Sequence, residues 1–586
     1  MKIFFVVLTF ILIMYAGLFS SAPLYTYELR GITPELIAKL YKAGFDVAAI
    51  LPNKTAHLLV TPVQIEKLKR LGYSGTILKK MIGGIDPDYL DYSEVYEQIM
   101  SLQTRFPGIV KYFDAGDSWV KKNGYPGKQT YYKGFDMLVA KVSDNVATDE
   151  DEPIFMIMGL HHAREPMSVS AVMYIMNTLV EGYSSVLDYK EWIDNYELWF
   201  LPIVNPDGYD FVFNSTDSEQ QMWRKDFRDN NSNGVLDYSY GGYGADGVDL
   251  NRNYAYMWES GDTDPNSPTY RGPSQFSEPE IQIIRSFTLA KKPLLSLSFH
   301  SYGELVLWPW SCYSEASKKD AVFRKIGNAA ATTMGYTGQR GYELYPTYGG
   351  SDDWLYAAGH TYAYTIELNS SDEGGFFPSA EYILPTIENA FEGTKEFLKA
   401  GLNMTQVTGK TYNKLNGKPI PNVLVEIAEL FDNEKASAVF SNSFGSYKHL
   451  LVPGTYTLVA ILLGDTPQSQ TFTVAEGEIK VIDLYFTKTG FETKEKSYFH
   501  LPERVKISPN PFNDKLKINF NLKQTDNVEV LIYDITGRLV KSYASRSYTA
   551  GNHLITTDTS SFKNGVYIIK VRTGSREHTD KLIKLN

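Results

Sequence analysis

The stretch Gly159-Leu160-His161-His162-Ala163-Arg164-Glu165-Pro166 decides the fold at the centre of this chain. It follows an apolar run, which predicts a strand, and precedes an amphipathic stretch, residues 167–180, which predicts a helix. Pro166 suits the first helical turn, because proline lacks an N–H group that would be unpaired there. His162 and Glu165 stand three residues apart at this strand-to-helix junction, so both side chains can point at one atom.

A second imidazole, His300, follows another apolar run. Two histidines and one glutamate suit a hydrolytic zinc site, because three protein ligands leave one position open for water. The spacing of His162 and Glu165 alone also fits an ion pair at a helix cap. His161 is an alternative ligand to His162, because it stands four residues before Glu165.

Short apolar runs bounded by turn residues alternate with helical stretches between residues 84 and 402. This alternation predicts an α/β domain around a largely buried sheet. The predicted strands include Ile154–Leu160, Leu198–Val204, Leu294–Phe299 and Tyr362–Leu368.

Further motifs in the same domain carry chemically distinctive side chains. They supply a guanidinium, an adjacent amide and guanidinium, a glycine-hinged aromatic loop and a strand-end carboxylate: Arg224; Asn251 and Arg252; Tyr345 to Trp354; and Glu367. Taken singly, each also fits an ordinary role as a surface ion pair, a turn, a loop or a strand-edge carboxylate.

In this order the motifs resemble the zinc carboxypeptidase family of the pancreatic A/B type, from about Tyr92 to Leu398. The resemblance implies an α/β catalytic domain with a mostly parallel, mixed eight-stranded sheet and helices on both faces. It implies one Zn²⁺ per catalytic domain, bound by His162, Glu165 and His300. His300 and Glu367 stand at strand ends, where ligand sites of such sheets lie.

The same resemblance assigns roles to the other site residues. Glu367 is the expected general base and Arg224 the expected stabiliser of the oxyanion. The expected substrate-binding residues are Asn251, Arg252, Tyr345, Asp352 and Arg164. A planar guanidinium fits a terminal carboxylate bidentately, as an exopeptidase requires.

Asp352, the second residue after Gly350, bears on specificity. It matches the position at which basic-specific members of the family carry an acidic pocket floor. The sequence therefore predicts a preference for basic, or mixed basic and apolar, C-terminal residues. The alternative is that Asp352 faces away from the pocket.

The segment Asp229-Asn230-Asn231-Ser232-Asn233-Gly234-Val235-Leu236-Asp237 carries oxygen ligands at alternate positions, like the start of a calcium loop. Its twelfth position is Tyr240 rather than glutamate, a departure from the full pattern. The segment predicts a Ca²⁺ site, with a plain asparagine-rich surface turn as the alternative.

Composition limits the function classes. A chain of 586 residues is longer than a single hydrophobic core usually holds, which indicates several domains. Its content of 43% hydrophobic and 21% charged residues is typical of globular proteins. Lys and Arg number 57 against 68 Asp and Glu, a net charge of -11, which argues against nucleic acid as the main partner. The single cysteine, Cys312, excludes a disulfide framework within the chain and a cysteine-based zinc site.

The segments around the catalytic domain indicate export. Residues 1–22 have the charged start, apolar run and small residues of a signal peptide, with an uncleaved anchor as the alternative. Residues 23–83 predict a prosegment-like αβ unit, or else an accessory docking domain. Residues 403–487 resemble the carboxypeptidase-regulatory-like, transthyretin-like β-sandwich. A linker at 488–507 leads to residues 508–586, which resemble a type IX secretion C-terminal sorting domain, with an adhesive sandwich as the alternative.

These patterns predict a secreted or cell-surface zinc metallocarboxypeptidase of a Gram-negative bacterium, exported through the periplasm. Its expected partners are peptides or proteins with a free C-terminal carboxylate and, through the last domain, the secretion machinery. No transmembrane helix is expected in the mature protein. The alternatives are an amidase or carboxypeptidase acting on cell-wall peptides and a non-catalytic surface binding protein.

Overall fold

The structure is a computed structural model that describes residues 23–584, apart from fourteen short segments. These are 52–53, 81–84, 125–132, 238–245, 433–434, 437–438, 463–464, 488–504, 509–511, 513, 523–524, 535–537, 563–564 and 574–575. The predicted signal peptide at 1–22 and most of the predicted linker at 488–507 lie outside the described residues. Among the described helices, none combines the length and the apolar character needed to cross a bilayer.

The first unit is a four-stranded antiparallel sheet with two helices, in the spatial order β2-β3-β1-β4. Its elements are β1 (Tyr25–Arg30), α1 (Pro34–Lys42), β2 (Asp46–Leu51), β3 (Thr55–Val60), α2 (Pro62–Arg70) and β4 (Thr76–Lys80). Thr33 and Thr61 cap the two helices with their side-chain oxygens, and each helix has proline in its first turn.

The second unit is built on one mixed sheet of eight strands, as expected. The strands are β5 (Val110–Asp117), β6 (Asp136–Val142), β7 (Ile154–Gly159), β8 (Glu197–Leu201), β9 (Leu295–Ser301), β10 (Leu305–Trp308), β11 (Thr337–Arg340) and β12 (Tyr362–Leu368). Their spatial order is β11-β10-β12-β9-β7-β8-β6-β5. The four central strands β12, β9, β7 and β8 are parallel, and antiparallel pairs flank them.

Helices cover both faces of this sheet. They are α3 (Tyr92–Arg105), α4 (Trp119–Asn123), α5 (Pro166–Gly182), α6 (Leu187–Asn195), α7 (Pro206–Asn214), α8 (Pro279–Lys291), α9 (Asp320–Met334), α10 (Gly341–Leu344), α11 (Ser351–Gly359) and α12 (Ala380–Asn403). Strand residues alternate between two buried clusters: Phe155 and Ile157 pack with α5, whereas Met156 and Met158 pack with α8 and α11. This burial on both faces explains why the central strands are continuous apolar runs.

The third unit has two small sheets that share one apolar core. Its strands are β13 (Gln406–Asn413), β14 (Leu424–Ile427), β15 (Ser446–Leu450), β16 (Gly454–Ile461), β17 (Gln468–Val474), β18 (Ile479–Val481) and β19 (Leu484–Phe486). It contacts the second unit through apolar side chains such as Leu450 and through hydrogen bonds, among them the Tyr362 hydroxyl donating to the Leu450 carbonyl at 3.1 Å.

The last unit also has two sheets, of three and four strands, around one core. The strands are β20 (Val505–Ser508), β21 (Lys515–Leu522), β22 (Asp526–Asp534), β23 (Leu539–Tyr548), β24 (Gly551–Asp558), β25 (Gly565–Thr573) and β26 (Arg576–Lys584). Strand β20 begins at Val505, inside the predicted linker, because its backbone pairs with β21 from Val505 opposite Phe520.

Candidate active site

The ends of two neighbouring strands bring the predicted zinc ligands together. Strand β7 ends at Gly159, and the turn into α5 carries His162 and Glu165. Strand β9 runs parallel to β7, with Gly159 opposite Phe299, so His300 projects at the same edge of the sheet. All three side chains are buried, and one ligand atom from each lies within 4.8 Å of the others.

The spacing of these atoms fits a small cation. His162 Nδ1 lies 2.8 Å from Glu165 Oε1 and 3.2 Å from His300 Nδ1, which lies 2.9 Å from Glu165 Oε2. Two ligand atoms about 2.1 Å from a tetrahedral zinc ion would be about 3.4 Å apart. Three buried ligands at nearly these separations therefore fit the metal that the motifs imply.

The remaining ring nitrogens of both histidines have partners that fix the ring orientation. His162 Nε2 lies 3.1 Å from Asp249 Oδ1, and His300 Nε2 lies 3.1 Å from Ser298 Oγ. Such outer partners orient ligand histidines in metal sites and hold the nitrogen that faces the metal. Asp249 and Ser298 were not singled out from the sequence, since nothing in a linear pattern shows which distant carboxylate meets an imidazole.

Burial and charge set the protonation of the group. Burial lowers the pKa of His300, which keeps its imidazole neutral, as metal binding requires. Burial alone would raise the pKa of Glu165, but the adjacent His162 and His300 hold it below its ordinary value. Glu165 therefore stays ionised between the two imidazoles.

His161, the alternative ligand, has other partners. Its Nε2 lies 2.9 Å from the Tyr254 hydroxyl and its Nδ1 lies 3.1 Å from Ser298 Oγ. Its ring stacks on His300 at a centroid distance of 5.4 Å. His161 therefore supports the neighbouring imidazole from behind and is not in the group of three.

Glu367 lies beside the ligand group because of strand register. Strand β12 pairs in parallel with β9, with Glu367 opposite His300. Burial and the nearby carboxylate of Glu165 raise the pKa of Glu367 to about 8. A carboxyl with such a pKa can both accept and release a proton near neutral pH.

Arg224 is held rigidly at the same edge. Its Nε and Nη2 donate to Asp249 Oδ2 at 3.1 and 2.9 Å, and its Nη1 lies 3.9 Å from Glu165 Oε1. Asp249 thus contacts both His162 and Arg224, one with each carboxylate oxygen. The charge of Arg224 and the hydrogen bond with His162 keep the pKa of Asp249 low despite its burial.

Asn251 and Arg252 lie on a short 3-10 turn, Leu250–Arg252, that also lines the cavity. Asn251 Oδ1 accepts from the Ser351 N–H at 2.9 Å, and Arg252 Nη1 donates to the Asn251 carbonyl at 2.8 Å. Gly349 packs directly on this turn: a Cβ there would lie 2.2 Å from the Arg252 carbonyl oxygen, and its φ is +70°. Only glycine allows the aromatic loop to approach so closely.

Asp352 also faces this cavity. The Ser311 hydroxyl donates to its Oδ2 at 2.8 Å, and the Asp353 N–H donates to its Oδ1 at 2.8 Å. Burial raises the pKa of Asp352, although these hydrogen bonds and the charge of Arg252 oppose the shift. Ser311, which sequence analysis did not identify, fixes the carboxylate in the cavity wall.

The first unit forms part of the wall of the same cavity. Tyr41 and residues 47–50 line it together with His162, Arg252 and Tyr345, and the enclosed space is about 80 Å³. Typical ligand pockets are about 300–1,000 Å³. The rings of Tyr41 and Tyr345 lie 6.0 Å apart across the junction of the two units. The space that remains is smaller than a typical ligand pocket.

Arg164, predicted to bind substrate, is not among the residues that line this cavity. Its side chain is fully buried, and its two terminal nitrogens donate to both oxygens of Asp46 at 2.5 and 2.9 Å. The guanidinium lies over the ring of Phe376 at 4.4 Å. While the first unit is attached, the guanidinium of Arg164 is therefore paired with the carboxylate of Asp46.

The calcium prediction for residues 229–237 is not supported, and the structure gives a physical reason. The N–H groups of Asn233 and Gly234 donate to the carboxylate of Asp229 at 3.3 and 2.9 Å. The side-chain amides of Asn231 and Asn233 donate to Asp237. The alternating oxygens thus accept hydrogen bonds from N–H groups of the turn itself. Within the described part of the chain, these residues form no metal-ligand group. The predicted twelfth position, Tyr240, lies outside the described residues.

Comparison with protein families gives two matches. The model described as "Zinc carboxypeptidase" matches residues 95–393, just over half of the chain. The model described as "Secretion system C-terminal sorting domain" matches residues 506–585.

Several curated carboxypeptidases are similar in sequence to this chain. Carboxypeptidase B of Astacus astacus is 33% identical over 319 residues, which cover 52% of this chain and 95% of that protein. Carboxypeptidase B2 of Homo sapiens is 28% identical over 393 residues, covering 62% and 86% respectively. Zinc carboxypeptidase of Saccharothrix mutabilis subsp. capreolus is 26% identical over 423 residues, covering 66% and 91%.

Solved structures support the fold. Carboxypeptidase A from Helicoverpa armigera superposes with a TM-score of 0.55 at 23% identity, covering 64% of this chain and 97% of that one. Thrombin-activatable fibrinolysis inhibitor superposes with a TM-score of 0.52 at 22% identity, covering 64% and 98%.

Proposed function

Because this chain belongs to the zinc carboxypeptidase family and carries a C-terminal sorting domain for type IX secretion, we propose that it is an exported exopeptidase that favours basic C-terminal residues. Its substrates would be peptides or proteins with a free terminal carboxylate. The observation that carries this proposal is one cavity lined by His162, Glu165, His300, Glu367 and the pair Arg252 and Asp352.

His162, Glu165 and His300 would hold the zinc ion of this family. When bound, zinc polarises the scissile carbonyl and lowers the pKa of water. Asp249 and Ser298 keep the two imidazoles in the orientation that presents Nδ1 to Glu165. The site is therefore organised before substrate arrives.

Glu367 would act as the general base. Its carboxylate would take a proton from the attacking water and pass it to the amine that leaves. Two observations support this role: its position opposite His300 in the sheet and its pKa, which is raised to about 8.

Arg224 would stabilise the negative charge that develops on the carbonyl oxygen. Its two bonds to Asp249 fix the guanidinium before the reaction, so little reorganisation is needed when the charge appears. Arg252 with Asn251 would bind the terminal carboxylate of the substrate, and Tyr345 would close over it from the loop.

Asp352 would recognise the side chain of the C-terminal residue. Its carboxylate is buried and held by Ser311, and among the described residues no Lys or Arg pairs with it within 4.0 Å. A buried carboxylate without an ion-pair partner is costly, and a substrate Lys or Arg would supply that partner. This argument supports a basic preference.

Residues 23–83 would be a prosegment. Residues of their unit line the cavity of about 80 Å³, and Asp46 of the same unit accepts hydrogen bonds from Arg164. Removal of this unit would open the cavity and free Arg164 for substrate. Residues 403–487 and 508–586 would be accessory β-sandwich domains, since each has two sheets over one core. The last of them would direct export from the periplasm to the cell surface or medium.

The test is release of single C-terminal residues from blocked peptides ending in Lys, Arg, Leu or Phe. We expect the chain without residues 1–83 to release Lys and Arg at least about tenfold faster than Leu or Phe, and a zinc chelator to abolish release. The intact chain serves as the control and should be much less active. Faster release of Leu and Phe would contradict the basic preference, and chelator-resistant release would contradict the zinc mechanism.

A further inference from the structure

A second group of acidic side chains lies apart from the proposed zinc ligands: Asp226, Glu278 and Glu280. Each is at most 1% exposed, and one carboxylate oxygen from each lies within 4.8 Å of the others. Asp226 follows Arg224 by two residues, whereas Glu278 and Glu280 stand at the start of helix α8. The proposed reaction uses none of the three.

Each of these carboxylates has one oxygen bound by surrounding donors. The pairs are Val248 N–H to Asp226 Oδ1 at 2.6 Å, Ser277 Oγ to Glu278 Oε1 at 2.5 Å, Arg228 Nη1 to Glu278 Oε1 at 3.3 Å, and Trp119 N–H to Glu280 Oε1 at 2.5 Å. The second oxygens, Asp226 Oδ2, Glu278 Oε2 and Glu280 Oε2, are buried and have no hydrogen-bond partner among the described residues. The surrounding donors thus leave one buried oxygen of each carboxylate without a donor from outside the group.

The charges within this group do not balance. Three carboxylates against the one guanidinium of Arg228 leave two negative charges. The next buried groups are Asp207 beside Glu280 and Lys225 beside Asp226. Burial raises the pKa of Asp207 to about 7 and lowers that of Lys225 to about 7, so neither carries a full charge near neutral pH. Both oxygens of Asp207 are already bound, by the Ser118 hydroxyl and the Val120 N–H. One divalent cation carries the missing charge.

We propose that Asp226, Glu278 and Glu280 bind a second, structural cation of the hard divalent class: Mg²⁺, Mn²⁺ or Ca²⁺. Such cations take oxygen ligands at about 2.0–2.6 Å, so ligand atoms that lie no more than 4.8 Å apart can share one ion. Burying unpaired carboxylates is costly, and a bound cation removes that cost. Burial and mutual repulsion raise the pKa of Asp226 and of Glu280, as expected of a site that lacks its cation.

This cation would join segments that position the active site. Asp226 accepts from the N–H of Val248, whose neighbour Asp249 contacts both His162 and Arg224. Glu280 accepts a hydrogen bond from the N–H of Trp119, the first residue of α4. The cation would therefore stiffen the back of the site without touching substrate.

The experiment measures metal content and thermal unfolding of the full chain. The protein is stripped with a chelator and reloaded with zinc alone, or with zinc plus Mg²⁺, Mn²⁺ or Ca²⁺. We expect one of the three to add one metal equivalent beyond zinc and to raise Tm by about 4 °C at a concentration about 100 times its Kd. Asp226→Asn and Glu280→Gln should lose that equivalent and that shift and keep zinc. Glu181→Gln, which removes an exposed carboxylate, should keep zinc, the second metal equivalent and the Tm shift.

The wild-type chain alone can overturn the proposal, so the test does not depend on whether the variants fold. Zinc as the sole bound metal, with no Tm shift from any of the three cations, would mean that the carboxyls share protons instead. A second equivalent that survives in both Asp226→Asn and Glu280→Gln would place the cation elsewhere.

Discussion

Glu367 stands directly opposite His300 on adjacent parallel strands, β12 and β9. The backbone register of the sheet therefore fixes the distance between the proposed base and a proposed zinc ligand. Neither residue depends on a mobile loop for its position. This rigidity is what a reaction needs when a proton must move between a water molecule and a carboxylate without large rearrangement.

Asp249 offers a first test, because it contacts two proposed catalytic elements at once. We expect Asp249→Asn to weaken zinc binding about 10–100-fold, since the amide cannot hold both His162 and Arg224 as the carboxylate does. Competition with a chromogenic chelator measures the affinity. Asp264→Asn, at an exposed turn, is the control and should bind zinc like the wild type. Equal affinities in the two variants would contradict the positioning role.

Asp352 should determine which C-terminal residue is released. We expect Asp352→Ser to lower kcat/KM for peptides ending in Lys or Arg about 100-fold and to leave or raise that for Leu, because the counter-charge is lost. Ser311→Ala should change kcat/KM in the same direction but by a smaller factor, because it removes only the hydrogen bond that holds the Asp352 carboxylate in place. If Asp352→Ser leaves the ratio of kcat/KM for Lys to that for Leu unchanged, Asp352 does not determine which C-terminal residue is released.

The pair of Asp46 and Arg164 should hold the first unit in place. We expect Asp46→Asn to raise the activity of the intact chain at least about tenfold, because breaking a buried bidentate pair costs several kcal/mol. Peptide hydrolysis before any cleavage of the chain measures it. Glu35→Gln, on the exposed side of the same unit, is the control. Basal activity that does not change in Asp46→Asn would mean that other contacts hold the unit.

His449 should make stability depend on pH in the third unit. Burial, aided by the charge of Lys319, lowers its pKa to about 3, and its Nε2 lies 3.0 Å from the Val425 carbonyl oxygen. Below about pH 6.5, His449 binds a proton in the unfolded chain but stays neutral in the folded chain. The free energy of unfolding therefore falls by about 1.4 kcal/mol per pH unit as pH drops. The stabilisation is complete above pH 6.5 and is lost towards pH 3.

We expect His449→Gln to remove this slope between pH 6 and 4, because glutamine can still donate to the Val425 carbonyl but does not titrate there. Denaturant unfolding of the full chain, followed at several pH values, measures the slope. His553→Gln, in the last unit, should retain the wild-type slope for the third unit. A slope that persists in His449→Gln would assign the pH dependence to other groups.

The sequence identified the strand ends that build the site, because apolar runs and their turns fix where a buried parallel strand stops. His162, Glu165, His300 and Glu367 all lie at or just beyond such ends. The partners that orient them were not predictable. Asp249 lies 87 residues from His162, and no local pattern encodes that contact.

Two other features show what a linear pattern lacks. Asp46 contacts Arg164 only because the first unit packs on the second. The residues around Asp46 and those around Arg164 do not indicate that the two form a pair. The segment 229–237 alternates Asp and Asn as a calcium loop does, yet the same oxygens can accept hydrogen bonds from the turn itself. Periodicity shows which oxygens are available, and only the folded turn shows what they bind.

The most direct test of the account is Glu367→Gln in the chain without residues 1–83, with exposed Glu304→Gln as the control. Zinc content and release of C-terminal Lys are measured on the same samples. We predict that Glu367→Gln keeps one zinc equivalent and loses at least about 10³-fold in kcat, whereas Glu304→Gln retains both zinc and activity. Full activity in Glu367→Gln with zinc bound would contradict the assignment of the general base.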